Sequence, residues 1–297
     1  MSINDTRALI KRAGSQAFRV LGSATAGFRP DPDFLLIGTK RGGTTSLYYD
    51  ILKLPRVTTL FPSARWLPKA NETKGIHYFD SNYHRGENWY RSYLPTRWAR
   101  DRAAKRSGGR VLVGEASPYY LFHPLAAERA AGAVPNVKLI ALLRDPVERT
   151  HSHWKERRRG DAEPLDFAEA LAAEPDRLAG EEERLRSDQT YYSYAHEQQS
   201  YVAQSHYAQS LKPWIERYGR DNLLVLISEE YYADPTSALN QVADFLGTPR
   251  GTELVGEHRN AAAGADMDPA IREELRRTFA PDVAELERML GRSLPWR

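Results

Sequence analysis

Cysteine is absent from all 297 residues. That excludes a disulfide framework, cysteine-ligated zinc and a thiolate nucleophile. No apolar run approaches the ~20 residues needed to cross a bilayer. The first thirty residues also lack the continuous apolar stretch of a secretory signal. They carry Arg7, Lys11, Arg12, Arg19 and Arg29 against one acid, Asp5. Residues 1–30 therefore read as a basic arm able to touch a membrane surface peripherally, and the cytoplasm is the expected compartment. The formal net charge is only +3, too small an excess to point to nucleic acid as a partner. There is no internal repeat, no low-complexity tract and no convincing metal-ligand spacing. His151 and His153 flank Ser152 but are not at i, i+4, so they are expected to face solvent or phosphate, and no metal is expected.

What is present is an alternation. Phe34-Leu35-Leu36-Ile37 ends at Gly38, Val111-Leu112-Val113 ends at Gly114, Val137–Leu143 ends at Arg144, and Leu223–Ile227 follows Asn222. Runs this short and this apolar, bounded by Gly, Pro and Asn, predict strands buried on both faces. Helical stripes fill the intervals. One comprises Tyr207, Leu211, Trp214, Ile215 and Tyr218. A second comprises Leu239, Val242, Phe245 and Leu246 before Gly247, and a third runs from Ile271 to Met289 with a break or kink at Pro281. Strands alternating with helices predict a three-layer α/β fold with a mostly parallel central sheet. A single domain over residues 31–297 is expected. Its stretch from about 156 to 200, rich in charge and poor in large aliphatics, predicts a solvated helical insertion or lid.

Gly38-Thr39-Lys40-Arg41-Gly42-Gly43-Thr44-Thr45-Ser46 follows the first strand and precedes an apolar helical stripe. Such a turn collects free N–H groups and the positive end of the helix dipole at one point. Gly42 and Gly43 allow close backbone approach to an anion. The hydroxyls of Thr44, Thr45 and Ser46 add donors, and Lys40 and Arg41 add charge. The pattern departs from the nucleoside-triphosphate loop G-x-x-x-x-G-K-[ST], because Thr44 stands at the lysine position. A second anion motif is Arg144-Asp145-Pro146-Val147-Glu148-Arg149-Thr150-His151-Ser152. Asp145 suits an N-cap and Pro146 the first helical position, so Arg144 and Ser152 can converge on one anion.

Together the two stretches resemble the family of sulfotransferases that use 3′-phosphoadenosine 5′-phosphosulfate (PAPS), in particular its bacterial members and the heparan-sulfate branch. The resemblance implies a P-loop-like sulfotransferase fold. It also implies transfer of a sulfuryl group from PAPS to a hydroxyl or amine of a carbohydrate, lipid or small-molecule acceptor, leaving adenosine 3′,5′-bisphosphate (PAP). By position it puts residues 40–46 on the 5′-phosphosulfate, with Arg41 at the bridging oxygen where the family usually has lysine and Lys40 sharing the role. It puts Arg144 and Ser152 on the 3′-phosphate. Weaker parallels extend along the chain. Lys74-Gly75-Ile76-His77-Tyr78-Phe79-Asp80 resembles the family's K-E-x-x-F-F, Gly114–Tyr120 its G-E-x-S-P-x-Y, and Tyr207–Trp214 its Tyr-x-x-x-Leu-x-x-Trp helix. The last makes Tyr207 a further candidate for the nucleotide, and Arg259 and Asn260 join it because they lie where members of the family close a loop over that nucleotide.

The carboxylate that the heparan-sulfate branch places after the lysine is here Gly75. The acceptor-side base then falls to His77, whose ordinary pKa suits proton acceptance near neutrality, ahead of Glu115. Two rival readings stand beside the transferase: a P-loop-like kinase, and a nucleotide- or polysaccharide-binding homologue without catalysis.

Overall fold

The apolar runs become strands because both of their faces find cover. A computed structural model describes residues 18–62, 74–251 and 267–296. In it, β1 (Phe34–Gly38), β2 (Val57–Thr58), β3 (Leu112–Ala116), β4 (Lys138–Leu143) and β5 (Leu223–Ile227) form a five-stranded sheet in the order β2-β3-β1-β4-β5. Every neighbouring pair is parallel. Parallel neighbours need crossovers; two helices, Glu87–Arg91 and Arg97–Ser107, lie between β2 and β3, and the others include α1 (Thr44–Ile51), α2 (Ala126–Ala133), α3 (Pro146–Arg159), α4 (Phe167–Leu178), α5 (Glu181–Ser187) and α6 (Tyr207–Tyr218). The helices α7 (Pro235–Leu246) and α8 (Pro269–Leu290) follow β5.

Alternate residues serve opposite layers. Leu35, Ile37, Leu139, Ala141 and Leu143 pack with α2, α6 and Leu286 of α8, while Phe34, Leu36, Ile140 and Leu142 pack with α1 and α7. The expected three-layer α/β architecture is therefore present. After β1 the chain crosses toward β3 and β2, whereas after β4 it crosses toward β5. The carboxyl ends of these two adjacent strands thus flank the topological switch point, where open α/β sheets bind ligands.

Three local expectations change. β3 does not stop at Gly114 but runs through it to Ala116, because the Phe34 ring occupies the place where a Cβ would stand, 2.4 Å from it. α8 continues through Pro281 without a break. The charged stretch is not merely solvated. Buried Glu163 holds Arg177 through two bonds of 2.6 and 3.0 Å and accepts from Tyr201 Oη at 2.7 Å, and Glu174 accepts from the Val202 and Ala203 amides at 2.7 and 2.8 Å. Charge anchors this stretch as well as wetting it. Within the basic arm, Arg19 donates to Ser92 Oγ and to the Phe61 carbonyl, and buried Arg29 donates to the Leu94 carbonyl.

Candidate active site

The loop after β1 lies directly across the end of β4. The Thr39 amide donates to the Leu142 carbonyl at 2.8 Å. A Cβ at Gly42 would stand 2.6 Å from that same carbonyl oxygen, so glycine is what permits the approach. Gly43 then enters α1 at φ 94°, a left-handed conformation suited to glycine, and no side chain caps the helix. Arg41 is also left-handed, at φ 67°, a conformation that costs energy for a residue with a Cβ. Thr44 and Ser46 are buried at the helix start. The Thr45 hydroxyl accepts from Lys74 Nζ at 2.8 Å.

The second motif meets the first. Asp145 caps α3 by accepting from the Val147 and Glu148 amides at 2.8 and 3.2 Å, which turns the chain immediately after Arg144. Arg144 Nη1 donates to the Arg41 carbonyl at 3.4 Å, and Arg41 Nε donates to Ser152 Oγ at 3.3 Å. Arg41, Arg144 and Ser152, far apart in the chain, are therefore neighbours. Tyr207 is fully buried and donates its hydroxyl to the Arg144 carbonyl at 2.8 Å, so it braces the strand end. Arg149, in the same motif, is also fully buried and ties α3 to the Tyr201 carbonyl at 2.7 Å.

His151 and His153, expected to face solvent or phosphate, are both buried. His151 stacks on Trp154, and fully buried His153 is held neutral by burial and by the nearby cations Arg149 and Lys40. Arg259 and Asn260 lie outside the described residues.

The facing wall is made of side chains. The Gly75 backbone packs so closely on the end of β3 that a Cβ there would stand 2.5 Å from the Ala116 carbonyl oxygen. His77 follows at φ 54°, its amide donating to Ser117 Oγ at 2.9 Å and its Nδ1 lying 2.8 Å from Asp80 Oδ2. Burial alone would lower the His77 pKa. Fully buried Asp80, with Glu197 and Glu115, instead raises it to about 9. A pKa near 9 keeps His77 cationic at neutral pH, which weighs against its expected role as the proton acceptor.

Glu115 is inside β3, opposite Leu35, and fully buried. It accepts from Ser117 Oγ at 2.6 Å, Tyr120 Oη at 2.7 Å and the Ile76 amide at 3.1 Å. Burial raises its pKa against those three bonds. It anchors the 74–80 segment and does not open on the crevice.

Two groups escaped the sequence reading. Lys74, beside the phosphate loop, has its pKa lowered to about 8 by burial. Glu197 reaches Lys40 from a π-helical turn at Ala195–Gln199, with Oε1 2.9 Å from Lys40 Nζ. Lys74 heads the Lys74–Asp80 segment, and that motif is its only local signal. Nothing in the local sequence marks Glu197, because its partner is 157 positions away.

Residues 31–263 match the family model described as the sulfotransferase domain. The human bifunctional heparan sulfate N-deacetylase/N-sulfotransferase 2 is 26% identical over 221 residues, covering 73% of this chain and 22% of the human protein. The mouse heparan sulfate glucosamine 3-O-sulfotransferase 3B1 is 29% identical over 225 residues, covering 76% of this chain and 48% of that protein. This chain thus spans from about a fifth to about half of those relatives. The crystal structure of a sulfotransferase from Alicyclobacillus acidocaldarius superposes with a TM-score of 0.63 at 31% identity, covering 89% of this chain and 98% of that one.

Proposed function

The chain belongs to the sulfotransferase family, whose general reaction is sulfuryl transfer from PAPS, and we propose that its two joined strand-end motifs hold that nucleotide. The observation that carries this reading is the Arg144–Arg41–Ser152 chain of contacts, which brings the two anion motifs to one crevice. In it, the 42–46 backbone and hydroxyls wrap the 5′-phosphosulfate, and Arg144 and Ser152 take the 3′-phosphate. Arg41, lying between them, stabilises the leaving phosphate by charge, since a guanidinium is a poor proton donor. Lys40, Lys74 and cationic His77 line the same crevice and favour the spread of negative charge in the transition state.

The acceptor is a hydroxyl or amine, for which the carbohydrates of the heparan-sulfate relatives are the leading class. The transfer itself needs alignment and charge stabilisation and no protein-bound metal. Among the described residues no helix is long and apolar enough to cross a membrane.

Thermal-shift titration tests the reading. PAP should raise the melting temperature at micromolar concentration, while ATP with magnesium should do so only weakly. Stabilisation by ATP and not by PAP would favour a kinase. Stabilisation by PAP without consumption of PAPS would leave a binding homologue.

A further inference from the structure

An acceptor hydroxyl or amine must lose a proton during transfer, and most carboxylates near the loop are engaged elsewhere. Asp80 is fully buried against His77, and Glu115 is fully buried beneath three donors. Glu156 has both oxygens on Arg157, at 2.6 and 2.9 Å. His77 carries its proton already at neutral pH. No side chain can be added at Gly75 without moving the end of β3.

Glu197 is also ion-paired, and it accepts from Tyr192, but its cationic partner belongs to the phosphate loop. Its side chain is 11% exposed, and its Oε1 rests 2.9 Å from the ammonium of Lys40, within the phosphate loop. It is also close enough to His77 to help raise that group's pKa. Lys40 receives two further oxygens from the same turn, the Glu197 carbonyl at 3.2 Å and Gln198 Oε1 at 3.0 Å. The turn is π-helical, a distortion that recurs at functional sites.

We propose that Glu197 is the residue that accepts the acceptor's proton. The inference rests on the sulfotransferase reading above. When PAPS fills the loop, Lys40 turns to the phosphosulfate and its bond to Glu197 loosens, which leaves the carboxylate beside the sulfuryl group. The acceptor oxygen or nitrogen then forms its bond to sulfur while its proton passes to Glu197. The bond between sulfur and the bridging oxygen breaks, and its electron pair leaves with the 5′-phosphate of PAP. The protonated Glu197 afterwards returns its proton to water.

The test uses the full chain and 35S-labelled PAPS, with N-desulfated heparin, 4-nitrophenol and water as acceptors. PAP formation is measured alongside PAP affinity by calorimetry and the melting temperature of each variant. Glu197→Gln should cut PAP formation about 100-fold or more while PAP binds as well as in the wild type or a few-fold tighter, and Glu197→Asp should recover part of the rate. The same loss should appear when Glu197→Gln is added to Lys40→Ala. A loss that vanishes in the Lys40→Ala background would show that Glu197 serves only as the lysine's counter-ion, and the proposal fails. It fails also if Glu197→Gln stays within about threefold of wild type, or if that variant or Glu197→Asp loses PAP binding or folding. A wild-type chain that binds PAP but turns over no PAPS with any of the three acceptors overturns the transferase reading itself, and the base with it.

Discussion

The two walls of the crevice are built from different materials. The wall proposed for the nucleotide leans on backbone: a glycine loop laid over the Leu142 carbonyl, the uncapped start of α1, and a helix turned at Asp145 that sets Arg144 and Ser152 beside the loop. The wall proposed for the acceptor leans on side chains: a buried carboxylate at 115 that fixes the 74–80 segment, an Asp80–His77 pair, and Lys40 met by Glu197 from the π-helical turn. Backbone sites are set by local chain geometry, so the nucleotide wall is written in short motifs. Side-chain networks are set by which distant elements meet, so the opposite wall is not written in any one stretch of sequence.

Changes at Arg41 should produce the largest difference between the walls. Removing one charged group that faces developing transition-state charge costs about 100- to 1000-fold in turnover. Arg41→Ala should therefore cut kcat by that order while PAP affinity, measured by calorimetry, falls much less, because charge on the leaving phosphate grows during transfer. Arg41→Lys should retain activity. Normal turnover in the alanine variant would move the leaving-group role to Lys40.

Arg144→Ala tests the nucleotide wall for selectivity. A charged hydrogen bond to phosphate contributes roughly 1.5–3 kcal/mol, or about one to two decades in affinity. PAP should lose that much and adenosine 5′-monophosphate little. Equal losses for both ligands would mean that Arg144 only braces the strand end through its bond to the Arg41 carbonyl.

The same contrast explains how much was legible beforehand. Strand ends at Ile37 and Leu143 could be read from apolar runs bounded by Gly and Arg, and both motifs lie on them. Glu115 was misplaced because Gly114 reads as a strand terminator. Whether a glycine ends a strand or admits a neighbour's ring depends on Phe34, eighty positions earlier. His77 was recognised, but its protonation state was not, since that depends on buried Asp80 and on carboxylates from β3 and the π-helical turn. Lys74 and Glu197 needed the tertiary contacts with Thr45 and Lys40.

Position 75 sharpens the comparison on the acceptor side. Restoring a carboxylate there by Gly75→Glu should not raise activity, because the Cβ itself meets the Ala116 carbonyl and the Ser117 hydroxyl at 2.5 and 2.9 Å. Gly75→Ala alone should cost about 1–3 kcal/mol of stability, the usual range for overpacking, and chemical denaturation would measure it. A glutamate variant that is both stable and faster would show that this wall is less rigid than its contacts indicate.

The smallest expected effect is in the pH response of His77, and it separates a cationic role from a basic one. Burial opposes its charge, but Asp80, Glu197 and Glu115 raise its pKa from 6.5 to about 9. A raised folded-state pKa means that the Asp80–His77 pair stabilises the fold fully below about pH 6.5, and that this contribution fades as pH climbs through about 9. The melting-temperature gap between wild type and Asp80→Asn should accordingly be widest below about pH 6.5 and narrow toward pH 10. Turnover carries the mechanistic distinction. If His77 acts as a cation, kcat falls as pH passes about 9; if it accepts the proton, kcat rises over the same interval. Lys74 loses its charge earlier, near 8, and would blur the limb. The profile is therefore best taken in a Lys74→Arg background, with the His77 ring followed by NMR to fix its own titration. A rising limb that tracks the ring signal would return His77 to the role of base and leave Glu197 as the counter-ion of Lys40.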